Sequence, residues 1–512
     1  MNLAPSEKLT ESQVKSGLKL LVRDGLFAEA MTTLTSGAFL IALALKLGAS
    51  NFQIGLLASL PTLANVFQIV AIYLLFRIAN RRAIAVYSAL FARIPLLLVS
   101  FLPMLFSFKT DLNLLILILF FHYLFSAISG CSWTSWTKDL VPEEQLGTYF
   151  SHRTRVIQIL NVVLSLACAV LVDNIKSHFP KLEIPTYSVM FFIAGVCGIL
   201  GAITLSRIAE PKLEPIKNNF LSLFKNPLRN KNFRNLLIFN SWWVFAINLA
   251  APFFSVYMLK MLQFPLSYVV GFNILSQITN ILFIRLWGRY SDKYSNKTIL
   301  RICAPIYLAC ILAWTFTTMP HVHPFTLPLV IIIAIFSGIA LAGINLALSN
   351  IGLKLAPKQA DAIIYLTARG ISNAFFAGIA PIIGGLFADY FSTRELSWNI
   401  EWKGPSTSWS FPTIDLHSWD FFFVLAFILG IIALYRLSFV KEKGEVRKGI
   451  VMREIAEEVK NTPAYTGVRG LVSLPFVFFR AVAKKKRAVV GKNREALKST
   501  FIITKPVKHQ NY

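Results

Sequence analysis

The chain has 512 residues, 55% of them hydrophobic and only 15% charged, with a mean hydropathy of +0.60. That composition is too apolar for a soluble enzyme and places the chain in lipid. The formal net charge of +26 would suit a nucleic-acid binder, but the cations sit in short loops and at the ends rather than among stacking aromatics, so membrane topology and anionic lipid account for them and no nucleic-acid partner is expected.

In chain order, residues 1–26 form a polar, mildly basic cytoplasmic N-terminal segment carrying Lys8, Lys15, Lys19 and Arg23. It has no cleavable signal pattern, so the first apolar run is expected to direct insertion. Apolar runs follow at 27–47, 54–79, 84–105, 114–136, 156–172 and 189–208, and after a connector at 236–257, 269–287, 299–319, 327–351, 362–387 and 421–439. Each can cross a hydrocarbon core of about 30 Å, directly or with tilt. The predicted fold is therefore an all-α membrane protein of twelve spans, divided into a six-helix bundle at 27–209, a connector at 210–234 and a second bundle at 235–440.

Loop charges set the expected orientation. Arg81, Arg82, Lys138, Arg153, Arg155, the basic residues from Lys225 to Arg234, the turn from Arg289 to Lys297, Lys354 and Lys358 fall on one side, while the opposite turns are poor in cations. Cations stay cytoplasmic, which puts both termini in the cytoplasm. Three further segments stand apart. The connector reads as a surface linker with a short interfacial helix at 220–224. The outer loop 392–415 carries Trp398, Trp402 and Trp409, and two extended stretches flanking a Gly-Pro suggest a small hairpin, either an aromatic anchor or a lid. The tail, 441–512, has 17 Lys and Arg against 6 Asp and Glu, a helical stretch at 452–460, and an apolar run at 470–479 followed by Lys484-Lys485-Lys486-Arg487. It reads as an interfacial segment held by anionic lipid, or as a docking tail. The five cysteines all lie in apolar runs without metal-ligand spacing and read as small buried hydrophobes, so no metal or cofactor is expected.

Two punctuation marks recur at one offset. The basic turn Arg77-Ile78-Ala79-Asn80-Arg81-Arg82 and the turn Gly288-Arg289-Tyr290-Ser291-Asp292-Lys293-Tyr294-Ser295-Asn296-Lys297 each separate two apolar runs, and Lys297 lies 215 residues after Arg82. Asp139-Leu140-Val141-Pro142 and Lys354-Leu355-Ala356-Pro357 each close a run, and Pro357 again lies 215 residues after Pro142. A duplicated membrane unit is the architecture of transporters that rock one half against the other.

On these residues the chain resembles the major facilitator superfamily, whose turns after the second and eighth helices carry a Gly, an Asp four residues on and a closing basic pair. Gly288, Asp292 and Lys297 match in the second half; in the first, Asn80, Arg81 and Arg82 fit while Tyr73 and Arg77 stand where Gly and Asp belong. The resemblance covers residues 20–440 and implies a secondary transporter working by alternating access, with Arg77, Arg81, Arg82, Gly288, Arg289, Asp292 and Lys297 as cytoplasmic gating residues. It also implies that the first, fourth, seventh and tenth spans line a central cavity.

Polar side chains inside spans are costly and mark function. The candidates for substrate contact are Thr33 and Ser36 on the first span, His122 on the fourth, Trp243 and Asn248 on the seventh, Asn345 on the tenth and Arg369 on the eleventh. Arg369 is the sharpest: it lies about two helical turns in, with no acidic neighbour on its own helix, and so needs either a partner from another helix or an anionic ligand. His122 is a candidate proton carrier. Glu29, Asp139, Asp292 and Asp389 fall near span ends, leaving no mid-membrane carboxylate of the kind a cationic-drug antiporter needs. The expectation is a monomeric transporter of a small organic solute, anionic because deep cations outnumber deep anions, such as a carboxylate metabolite or siderophore, in a bacterial inner membrane. The competing readings are a multidrug exporter and a non-transporting scaffold using its basic tail; no nucleophile–base pair or metal cluster points to an enzyme.

Overall fold

The computed structural model describes residues 5–6, 9–78, 80–105, 108–142, 146–211, 227–318, 323–356, 361–403, 408–417, 419–446 and 449–454. The expected helix at 220–224, the run at 470–479, the lysine cluster at 484–487 and the part of 452–460 beyond Glu454 lie outside these residues.

Twelve helical stretches are long and apolar enough to span a membrane. The first is broken in two, α1 (Glu11–Thr35) and α2 (Gly37–Lys46), at Gly37, whose φ of +58° only glycine adopts cheaply. Helix α1 starts well before the first apolar run, because Thr10 and Gln13 form a reciprocal capping box there. The second span is also divided, into α3 (Asn51–Ala64), opened by the Ser50–Gln53 capping box and carrying Pro61, and α4 (Gln68–Ile78), with a short 3₁₀ turn between. The other spans of the first half are α5 (Arg81–Leu105), α6 (Phe108–Leu140), α7 (Leu146–His178) and α8 (Glu183–Leu205). The second half consists of α9 (Lys231–Lys260), α10 (Leu266–Lys293), α11 (Asn296–Ala313), α12 (Thr326–Leu355), α13 (Asp361–Phe391) and α14 (Trp419–Leu437). Between α13 and α14, β1 (Glu395–Lys403) and β2 (Ser408–His417) pair antiparallel, forming the hairpin expected in the outer loop, with a bulge at Trp398/Asn399.

The turns before α5 and α11 lie at one end of the bundle, the basic end. Packing between the halves is concentrated toward the opposite end. There α3 lies along α13 so closely that a Cβ on Gly55 would sit 2.1 Å from the Pro381 carbonyl oxygen, and one on Gly385 2.4 Å from that of Asn51. The Gly378–Gly385 stretch expected as a close-packing gate element is thus the part of α13 against which the second span closes. Among the described residues, α4, the basic-end piece of that span, packs on α5 and α6 of its own half and makes no comparable contact with the second half. The halves are joined at one end and parted at the other.

Candidate functional site

At the basic end each half ties its own turn down with a carboxylate. The Glu210 side chain accepts the backbone N–H of Arg81 at 2.8 Å and of Arg82 at 3.0 Å, filling two of the donors a helix start leaves open, and also takes Arg81 Nε at 3.1 Å. Arg81 is fully buried; it further donates to Asp139 and to the Pro211 carbonyl at 2.8 Å, while Arg82 reaches the Ile208 carbonyl at 3.1 Å. In the second half Glu442 accepts the N–H groups of Asn296 at 3.3 Å and Lys297 at 2.7 Å. Lys297 Nζ is buried against the Val440 carbonyl at 2.6 Å and Glu445 at 2.9 Å. Glu445 also pairs with Arg301, and Glu454 with Lys293 and Tyr294.

Three of the expected gating residues, Arg81, Arg82 and Lys297, are therefore brought into charge clusters, and every partner found for them belongs to their own half. Arg77 is exposed and lies over the Tyr73 ring at 5.3 Å, and Arg289 and Asp292 are exposed as well. Gly288 meets only Leu346, at an ordinary 3.8 Å from a would-be Cβ; the tight glycine of this region is Gly343, pressed on Cys303. Glu210, expected in a surface linker, is fully buried.

The bonds that do cross between halves lie at the opposite end and come as a symmetric pair. Asp389, at the end of α13, accepts the N–H groups of Asn51 and Phe52 at 3.0 and 2.9 Å. Asp173, at the end of α7, accepts those of Leu266 and Ser267 at 2.9 and 2.7 Å. Each carboxylate caps the first turn of a helix in the other half, where the helix dipole favours negative charge. Sequence reading treated Asp389 as a span-end residue and passed over Asp173. Their spacing of 216 residues, beside the 215 of the turns, was the available signal.

Below this seal a cavity of about 680 Å³ opens between α9 and α13, lined by Leu237, Ile238, Trp242, Phe245, Phe375 and Phe376 among others, with Arg234 toward the basic end. Ser241 and Ser372 join the two helices at 2.8 Å, and Asn240 bonds Asn373. Trp242, not the expected Trp243, faces this space; Trp243 is buried beside Phe239. Asn345 is exposed on α12. Arg369 is partly buried one residue beyond the cavity-lining Ala368, lies over Gly352 of α12, and its buried Nε has no partner.

The remaining candidates are used inside the first half. Thr33 accepts from Asn161 at 3.0 Å, and Asn161 also donates to Glu29 at 2.7 Å. Ser36 bonds the Thr32 carbonyl of its own helix at 2.6 Å, and Asn248 likewise the Val244 carbonyl at 2.8 Å. His122 is buried with Nδ1 at 2.7 Å from the Ala92 carbonyl of α5. Asp24, assigned by its polar surroundings to the N-terminal segment, lies buried inside α1.

A duplicated six-helix unit, sealed at one end and open at the other around a cavity, defines a membrane transporter rather than an enzyme. Residues 25–368 match the family model described as Major Facilitator Superfamily, two-thirds of the chain, and the chain belongs to that family. Among solved structures, the nucleoside transporter NupG shares 14% identity at a TM-score of 0.57, covering 84% of this chain and 100% of its own. The xylose transporter XylE from E. coli shares 14% at 0.56, over 85% of this chain and 100% of its own. A bacterial homologue of the human lysosomal transporter Spinster shares 15% at 0.55, over 75% and 84%. At these identities the likeness is one of fold. No curated protein sequence matches the chain.

Proposed function

We propose that this integral membrane transporter carries a small organic anion by alternating access, as a monomer in a bacterial inner membrane, with the basic end and both termini in the cytoplasm. The observation that carries the anionic reading is Arg369, a guanidinium beside the cavity wall whose buried Nε lacks a partner, with exposed Arg234 nearer the mouth and no carboxylate among the cavity-lining residues. A cation so placed is neutralised at least cost by an anionic ligand. Rocking would part Asp173 and Asp389 from their helix starts and bring α4 toward the cavity face of α13. The basic tail binds anionic lipid in this reading.

Thermal-shift measurements on purified protein with carboxylate, neutral and cationic solutes, repeated with Arg369→Ala, test the proposal. Stabilisation by a carboxylate that disappears in the variant supports it; stabilisation by apolar cations, unchanged in the variant, refutes it. The second outcome is the multidrug-exporter reading, which the aromatic lining of Trp242, Phe375 and Phe376 favours.

A further inference from the structure

The two halves offer an internal control for every buried charge, because each position in one has a twin in the other. Arg93 of α5 packs on Gly198 of α8, its Cγ 3.0 Å from where a Cβ would stand, and donates to the Gly198 carbonyl at 2.7 Å. The twin of Arg93, at the offset of 215, is Leu308, which packs on Gly430 in the same way, its Cδ2 2.2 Å from the would-be Cβ. Asp24 has Phe239 as its twin, fully buried, and Arg153 has Ala368. The fold therefore closes this place with apolar side chains in one half and with two cations and a carboxylate in the other. A buried ion cluster is rarely more stabilising than well-packed hydrophobes of similar size. Packing does not account for the charges.

Their geometry is that of an incompletely satisfied site. Asp24 is 4% exposed, and its Oδ1 accepts no hydrogen bond. That oxygen and Arg93 Nη1 each border the same point beside Gly201, 3.3 Å from a would-be Cβ. Arg153 of α7 reaches over Gly25, the residue after Asp24, donates to the Leu21 carbonyl at 3.3 Å and lies 4.9 Å from the Trp133 ring centroid of α6. Tyr149 of α7 bonds the Leu18 carbonyl at 2.8 Å, α8 presents only glycines, and His122 of α6 sits beyond Arg93 on the Ala92 carbonyl. The other acid nearby on α1, Glu29, is occupied by Asn161. Asp24 is thus a carboxylate facing two cations, on the helix that shares its span with the piece packed on the second half.

We propose that Asp24 is the proton-binding site of this transporter, with Arg93 and Arg153 as the cations it exchanges for the proton. One proton adds to the carboxylate oxygen and leaves by the reverse step; no other bond changes. As a carboxylate Asp24 holds α1 to α5 and α7; as a neutral acid it releases Arg153, and α1 is freed to rock.

The test needs no knowledge of the solute. Wild-type protein is reconstituted into vesicles on a solid-supported membrane, the external pH is stepped from about 8 to about 6, and the transient charge displacement is compared with that of protein-free vesicles. The wild type gives a displacement, Asp24→Glu and Glu29→Gln keep it, and Asp24→Asn loses it at least tenfold. If Asp24→Asn alone does not fold, Asp24→Asn with Arg93→Met, which makes the place apolar as in the second half, is read by the same criterion. A displacement that persists in the neutral variant, or one lost only in Glu29→Gln, overturns the assignment. Failure here leaves the anion reading intact, since that rests on Arg369 and the second half.

Discussion

Replacing Asp389 and Asp173 with asparagine tests whether the two cross-half caps hold the opposite end shut. Each carboxylate receives two backbone N–H groups at 2.7 to 3.0 Å at the start of a helix in the other half. Losing a helix cap costs about 0.5–2 kcal/mol, and a charged acceptor at a partly buried helix start belongs toward the upper part of that range. An amide keeps one acceptor oxygen, so each substitution removes about 1 kcal/mol from the closed state and the pair about 2 kcal/mol, a shift of about thirtyfold in the closed-to-open ratio. Spin labels on Asn113 and Lys260, exposed residues in the two halves, would report it by pulsed dipolar spectroscopy. The long-distance population should grow in each single variant and grow further in the double. The two effects should add, because the carboxylates cap different helices. A distribution unchanged in the double variant would refute the reasoning and leave the apolar seam of α3 and α13 as the whole seal.

Glu210→Gln should lower thermal stability strongly, since it leaves the fully buried Arg81 short of a counter-charge, a loss of about 3–5 kcal/mol for a broken buried pair. Asp139→Asn should cost far less, because that side chain is 48% exposed; equal losses in a melting assay would contradict the assignment. Gly55→Leu should drive a side chain into the Pro381 carbonyl, so spin-label distances at the opposite end should lengthen; a closed distribution would show that α13 can yield. The Glu454 carboxyl is held below its ordinary value of 4.5 by its bonds to Lys293 and Tyr294. Its hold on the turn before α11 is therefore present at neutral pH and lost only as acidification passes that lowered value. Cleavage by protease after Arg453 should stay slow from neutral pH down to about 5 and rise below about 4, whereas Glu454→Gln should be cut readily throughout; a wild-type profile flat across that range would rule the strap out.

The sequence by itself determined the spans, their number, the duplication and the family. These follow from apolar run length and a repeated punctuation, both properties of the linear chain set against a slab of fixed thickness. It also located the turns at Arg81–Arg82 and Lys297 and the hairpin in the outer loop. What it could not assign was partnership. Glu210, Glu442, Asp173 and Asp389 stand at span ends where solvation is the default reading, and only the fold shows that two cap helices within a half and two cap helices across halves. Among neighbouring residues, Trp242 and Trp243 differ by one position and hence by 100° around a helix, so which one meets the cavity depends on how α9 is rotated against α13. Asp24 was lost to the linear reading because α1 continues through polar sequence, its apolar requirement being met by α5, α7 and α8 rather than by lipid. Hydropathy measures transfer to lipid; a charge whose environment is other helices is decided by tertiary contact alone.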